Sequence, residues 1–322
     1  MPADSVVWPG PANARAVPAT LLDRSGSSIR VAWANPSTIP WGIRFLANST
    51  PRRYTTACRS THALSVHSLA TAESWAGEVG SDLHRTGMLF LLDSAEAATE
   101  LRHTRRPLED EGESYVELTR AELVAMDGAY DTLPDGIHAV YAPGAACGDS
   151  RGFARALVDR LRAGGATVLE GQPVTRLLLR NGRVTGAESA AGRLHADAVI
   201  LAAGVGTRKL ARTAGVRAPI LTVKGYAATV PVTDLGGAPR VGGVLENRHV
   251  AFSRMGDRLR LSTGAEIGRT DNDVTEPMMR LLKQAGEDLC PGALDWPSAQ
   301  YRAEHRPMTP SGLPMIGPTR TP

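Results

Sequence analysis

The chain is 322 residues long, 42% hydrophobic and 21% charged, which is the balance of a soluble globular protein with room for a large core and two interleaved domains. Its 36 lysines and arginines against 33 aspartates and glutamates leave +3, too even for a nucleic-acid binder, and no apolar run approaches the roughly 20 residues of a membrane span. Cys58, Cys147 and Cys290 are isolated and residues 1–11 lack a basic-then-apolar leader, so the expectation is a reducing, cytoplasmic location.

Residues 1–40 are rich in Pro, Ala and Ser without a period and read as an extended segment that needs something to lie against. Thr50 as a cap and Pro51 in the first turn open a helix predicted over 51–79, with Tyr54, Cys58, Leu64, Leu69 and Trp75 toward the core. A short buried strand follows over 87–92. Ser94 caps a helix from Ala95, and Thr119 with Glu122 makes a capping box for another. Residues 136–141 read as a strand, and Asp149 or Ser150 caps a helix over 152–163 with Phe153, Ala156, Leu157 and Leu161 on one face. A strand at 167–170 leads to the clearest hairpin in the sequence, 174–180 and 183–188 around Asn181-Gly182.

Residues 198–203, Ala-Val-Ile-Leu-Ala-Ala, have the composition of a parallel strand buried on both faces. The run ends in Gly204-Val-Gly206 ahead of a polar helical stretch, and a strand tipped with glycine is where α/β folds place nucleotides. A dinucleotide fingerprint needs a third glycine at position 209, which is Lys, so the motif alone also fits an ordinary strand-to-helix closure. Beyond Pro219 the period becomes that of strands, over 221–230, 241–245, 249–254 and 258–263, with a Met255-Gly256-Asp257 turn: a mostly antiparallel second domain. Asp273 or Thr275 opens a helix to about Ala285, and the chain closes through His305 to Gly317.

Gly148-Asp149-Ser150-Arg151-Gly152 fits the hydrolase elbow Gly-x-Ser-x-Gly, with His195, His249 or His305 as base. The elbow needs a buried strand before it, whereas residues 142–147 read as a loop, so a helix cap is the plainer reading. The histidines show no ligand spacing, and no metal is expected.

Several pieces together resemble the FAD-dependent D-amino-acid dehydrogenase and oxidase family. They are Gly148-Asp149-Ser150, Gly171-Gln-Pro-Val174, the run from Ala196 to Gly204, Val223-Lys-Gly-Tyr226, the run from Leu261 to Glu266, and Arg306-Pro-Met-Thr-Pro-Ser-Gly-Leu-Pro314. Lys-Gly-Tyr and Arg-Pro-Met-Thr-Pro bring the chain nearest the dehydrogenase branch. The resemblance implies an α/β fold with α+β elements, in which a partial FAD-binding Rossmann-like domain is interleaved with an antiparallel-sheet substrate domain. On that reading residues 1–134 are a mixed segment, the extended N-terminus plus helices of the substrate domain. Residues 135–218 are the remnant of the FAD-binding domain, 219–303 the antiparallel substrate domain, and 304–322 the return to the FAD-binding domain.

The resemblance also implies FAD as cofactor and a small-molecule amino-acid substrate, oxidised at Cα–N by hydride transfer to an imino acid and then a 2-oxo acid, in amino-acid catabolism. By likeness, Val174 lies along the adenine end of FAD, Ala202, Ala203 and Gly204 let the backbone approach the cofactor, and Gly317 also belongs to the cofactor site. Arg306 falls where the family holds the substrate carboxylate, and a guanidinium suits that role because its parallel N–H groups fix the angle of a carboxylate as well as its charge. Lys224 and Tyr226 either face the flavin or are a solvent-facing Lys and an ordinary strand Tyr. Glu304, close before Arg306, is expected to compete for the same guanidinium. The family's opening strand, Gly-x-Gly-x-x-Gly and helix, and the glycine-rich turn and helix that close it, have no counterpart here. The expectation is therefore a chain truncated at both ends that binds FAD weakly or not at all. The alternative is a non-catalytic subunit whose exposed face is covered by a partner or a second copy.

Overall fold

The computed structural model describes residues 10–11 and 29–319, so most of the extended segment read at residues 1–40 lies outside the described residues. The described strands are β1 (Ile29–Val31), β2 (Leu83–His84), β3 (Met88–Leu92), β4 (Val116–Leu118), β5 (His138–Ala142), β6 (Cys147–Gly148) and β7 (Val174–Arg180). They continue with β8 (Arg183–Ser189), β9 (Gly192–His195), β10 (Leu221–Pro231), β11 (Gly243–Leu245), β12 (Val250–Met255), β13 (Arg258–Ile267) and β14 (Gln300–Met308).

Among the described residues one large sheet runs β14-β10-β13-β12-β11-β3-β5-β4, with β1 joining β13 beside that path. The β11–β3 and β1–β13 pairs are parallel and the others antiparallel. The sheet draws strands from each of the segments delimited by residues 134, 218 and 303, so those boundaries cut across one hydrogen-bonded layer.

Side chains alternate across a strand. One face of the large sheet, with Leu89, Leu91, Tyr226, Ala228, Leu259 and Leu261, packs on the Glu276–Leu289 helix, whose Met278, Leu282, Ala285 and Leu289 form its buried stripe. The other face, with Phe90, Leu92, Val140 and Ala142, is covered by the Pro51–Val79 and Ala95–Glu109 helices through Tyr54, Ala57, Cys58, Ala98, Leu101 and Leu108. At the β14 end the Thr38–Asn48 helix sets Trp41 and Phe45 against Leu221, and Trp41 Nε1 donates to the Met308 carbonyl at 3.1 Å.

The local signals hold. Ser94 accepts from the Ala97 N–H, Thr119 and Glu122 form both bonds of the capping box, and the 51–79 helix has the expected bounds. Asn181 and Gly182 take φ of 50° and 74°, the left-handed pair that a two-residue hairpin turn demands. Other expectations need correction. The Thr38–Asn48 helix and β14 were not anticipated, and residues 167–170 form no strand. Leu64 is only half-buried and Trp75 is exposed on the Pro51–Val79 helix, and the Ser150–Ala163 helix buries none of its side chains.

The largest correction concerns residues 198–203, which form no strand. Backbone groups of a strand buried on both faces must be paired by neighbours on either edge. Among the described residues no strand pairs with this run, and Ile200 is 92% exposed. Leu161, Leu169, Val174, Leu179 and Leu194 are likewise exposed apolar residues in this part of the chain.

The contrast is measurable. Leu261→Ala, at a position with no exposed surface, is expected to cost about 2–5 kcal/mol in urea unfolding. Ile200→Ala is expected to change stability by less than about 0.5 kcal/mol. A loss of about 2 kcal/mol at Ile200 would show that the run packs as a strand after all.

Candidate functional site

A cavity of about 820 Å³ lies between the sheet and the two helices that cover β3 and β5. Ser262, Gly264 and Arg306 line it from the sheet, and Pro51, Tyr54 and Arg105 from the helices.

The position of Arg306 follows from strand register. It pairs with Val223 across the β10–β14 ladder, and Gly225 sits opposite Glu304. A methyl group at position 225 would lie 2.6 Å from both terminal nitrogens of Arg306, so the guanidinium fills the space left by the missing side chain. A bulge in the β10–β13 pairing between Lys224 and Tyr226 coincides with Gly264 at φ 84°. The carbonyl of Gly264 accepts from Arg306 Nη1 at 2.8 Å. Among the described residues the other guanidinium N–H groups have no protein partner. Confinement against the sheet lowers the Arg306 pKa, an effect opposed by Glu304 and reinforced by Arg260; a guanidinium so placed is still charged at neutral pH.

Glu304 does not take that guanidinium. Its Oε2 accepts from Arg260 Nη2 at 2.8 Å, on β13, and this corrects the expected competition.

The facing wall carries a residue the sequence reading missed. Arg105 is 9% exposed, lies over the Phe90 ring at 4.3 Å and has Nη2 3.6 Å from Glu246 Oε1. Its sequence signal was its spacing. It falls in the buried stripe Ala98, Leu101, Arg105 and Leu108, where a charged residue is out of place unless it is partnered.

Lys224 and Tyr226 point away from the cavity, because alternation sends them to the face opposite Gly225 and Arg306. There Lys224 is fully buried. Its Nζ lies 2.5 Å from Asp271 Oδ1 and 5.1 Å from the centre of the Tyr226 ring, and His305 Nε2 is 3.0 Å from the Asp271 carbonyl. Lys224 is therefore not the solvent-facing Lys that the sequence allowed, whereas Tyr226 is an ordinary strand Tyr packed in the core.

Ala202, Ala203 and Gly204 are exposed, and the Gly204–Gly206 turn lies against β14, the strand that carries Arg306. Gly204 has φ 53°, and an added side-chain carbon would meet nothing within 4 Å. The bare backbone at Gly204 suits the close approach of a flat heteroaromatic ring. Val174 opens β7 in the separate β7-β8-β9 sheet, and Gly317 is exposed at φ 134° in the closing segment. Ser150 is the exposed first residue of its helix and Asp149 accepts from the Arg151 N–H at 3.0 Å, so the would-be hydrolase elbow is a helix cap.

Residues 14–322 match the model of the family described as FAD dependent oxidoreductase, DAO. The chain is 30% identical to D-amino acid dehydrogenase 2 of Mesorhizobium japonicum, over 99% of this chain and 78% of that protein. It is 31% identical to the D-amino acid dehydrogenase of Paramagnetospirillum magneticum, over 96% of this chain and 75% of that protein. L-proline dehydrogenase from P. horikoshii superposes with a TM-score of 0.69 at 18% identity, over 81% of this chain and 70% of that one. Glycine oxidase from Geobacillus kaustophilus gives 0.67 at 22% identity, over 85% and 72%. At these identities the structural likeness is one of fold, and the α/β class read from the sequence is theirs.

The pair beneath the site sets a pH dependence. The hydrogen bond from Lys224 is the main cause holding the Asp271 carboxyl below its ordinary 3.8. For Lys224, burial pulls the ammonium down, but Asp271 and Tyr226 more than offset it and leave the pKa above its ordinary 10.5. Asp271 therefore contributes stability that is whole above 3.8 and lost as pH falls through its lowered folded value. Lys224 contributes stability that is whole below 10.5 and lost as pH rises through its raised folded value. The melting-temperature difference between wild type and Asp271→Asn should be constant across neutral pH and shrink at both extremes.

Proposed function

Since the chain belongs to the DAO family of FAD-dependent oxidoreductases, we propose that it oxidises the Cα–N bond of a D-amino acid, with Arg306 holding the substrate carboxylate. The observation that carries this reading is a charged guanidinium with N–H groups left unpartnered, lining a cavity and lying on the strand against which the Gly204–Gly206 turn packs. A carboxylate is the anion that matches that fork. The names of the curated relatives supply the D-amino acid.

Bound FAD supplies the hydride acceptor; the chain's own residues bind and orient. Arg306 fixes the carboxylate and thereby the direction in which Cα presents its hydrogen, toward the side of the Gly204–Gly206 turn. The substrate side chain then extends into the cavity toward Arg105 and Glu246. If the amine arrives neutral, loss of hydride from Cα leaves the iminium directly, and no protein base has to take a proton from carbon. Ala202, Ala203, Gly204 and Gly317 are the residues we assign to the flavin side, with Val174 toward the adenine end. On this reading the flavin-facing residues come from 135–218 and 304–322, while the substrate sheet centred on 219–303 is extended by strands from the segments on either side. The scattered free cysteines support a reducing, cytoplasmic setting.

In FAD-supplemented protein with D-alanine and a dye acceptor, Arg306→Ala is expected to raise KM at least roughly a hundredfold, the scale of losing a charged hydrogen-bonded pair. Formation of the 2-oxo acid is the measurement. An unchanged KM would remove Arg306 from the site.

A further inference from the structure

We propose that Arg260 is a positioning residue for this reaction: by holding the Glu304 carboxylate it keeps the Arg306 guanidinium available to the substrate. The inference rests on the reading of Arg306 given above.

Glu304 and Arg306 are alternate residues of β14 and therefore project from the same face, close enough for long side chains to meet. The residue opposite Glu304 is Gly225, which offers no side chain to keep the two apart, and the Arg306 guanidinium already occupies the space above it. An unheld carboxylate at 304 has beside it a charged guanidinium with N–H groups to spare beyond the one given to Gly264. Yet the described ion pair of Glu304 is with Arg260, 44 residues away in sequence and on the far side of β10, at 2.8 Å. Arg306 instead donates to the Gly264 carbonyl. The proton affinity of Arg306 feels both neighbours, raised by Glu304 and lowered by Arg260, which places the three charges within one electrostatic unit.

The sum of the unit decides its use. With Arg260 present the trio carries one net positive charge, suited to an incoming carboxylate. Without it, Glu304 and Arg306 neutralise one another, and a substrate would have to displace a tethered carboxylate to bind. Arg302, also on this face of β14, is the other cation that a freed Glu304 could reach.

The test is a mutant cycle read by calorimetric titration and by steady-state kinetics on FAD-supplemented protein. Its probes are D-alanine and D-alaninamide, which lacks the carboxylate. Arg260→Met is expected to weaken D-alanine binding and raise its KM roughly fivefold, with kcat and D-alaninamide binding unchanged. Adding Glu304→Gln to Arg260→Met should restore D-alanine binding to within about twofold of wild type, because the competing carboxylate is gone. Arg260→Gln serves as a second variant should Arg260→Met fold poorly by circular dichroism. An unchanged KM in the Arg260 variants would overturn the proposal and indicate that Arg302 takes the freed carboxylate. A loss that Glu304→Gln does not rescue would overturn it in favour of a purely structural arginine. If Arg306→Ala leaves D-alanine binding intact, the reading of Arg306 fails; if only the Arg260 cycle is flat, that reading stands and the positioning role fails.

Discussion

Strand β10 is hydrogen-bonded along both edges, to β13 on one side and β14 on the other, and that double pairing decides which side chains meet the cavity. Neither edge is free to slip. A shift of one residue would exchange the faces of Lys224 and Gly225, placing an ammonium under the Arg306 guanidinium and leaving the buried face without its cation. The buried ammonium is itself costly unless paired, since an ion stripped of water loses several kcal/mol of solvation. Asp271 meets that need from the loop after β13, and His305 holds the same residue by its carbonyl. The register of the strand, the ion pair beneath it and the open space above it are one arrangement.

The two faces of the sheet divide the work. One is closed by the apolar stripe of the Glu276–Leu289 helix. The other is covered only in part, by helices over β3 and β5, and the uncovered part displays Arg260, Glu304 and Arg306. Arg260 and Glu304 can stand there because they are paired with each other, and Arg306, whose confinement costs it some solvation, is held by the Gly264 carbonyl.

What could be read from the sequence was whatever is decided locally. The Thr119–Glu122 box, the Ser94 cap and the Asn181-Gly182 turn are set by bonds between residues a few positions apart, and each is where the sequence put it. The Arg306 motif was legible as part of a family pattern. β14 was hidden because its polar–apolar alternation runs only from Gln300 to Glu304; His305, which should be apolar, instead serves the buried polar pair. The 198–203 run shows the opposite failure. Its composition is that of a buried strand, but burial comes from neighbours, and composition names no neighbour. The partners of Arg105 and Glu304 were invisible for a similar reason, each being a residue far along the chain.

The exposed run at 198–203 has a consequence for how the polypeptide would be cut. Proteases bind their substrates as extended chain free of ladder bonds, and residues 198–203 already present that shape. Cleavage there would leave β1 and β3 on one fragment and β11 and β13 on the other. Those strands pair with each other, β1 with β13 and β3 with β11, and the fragments share one apolar core. A nicked molecule would therefore run as two bands in denaturing gels and as a single particle in buffer.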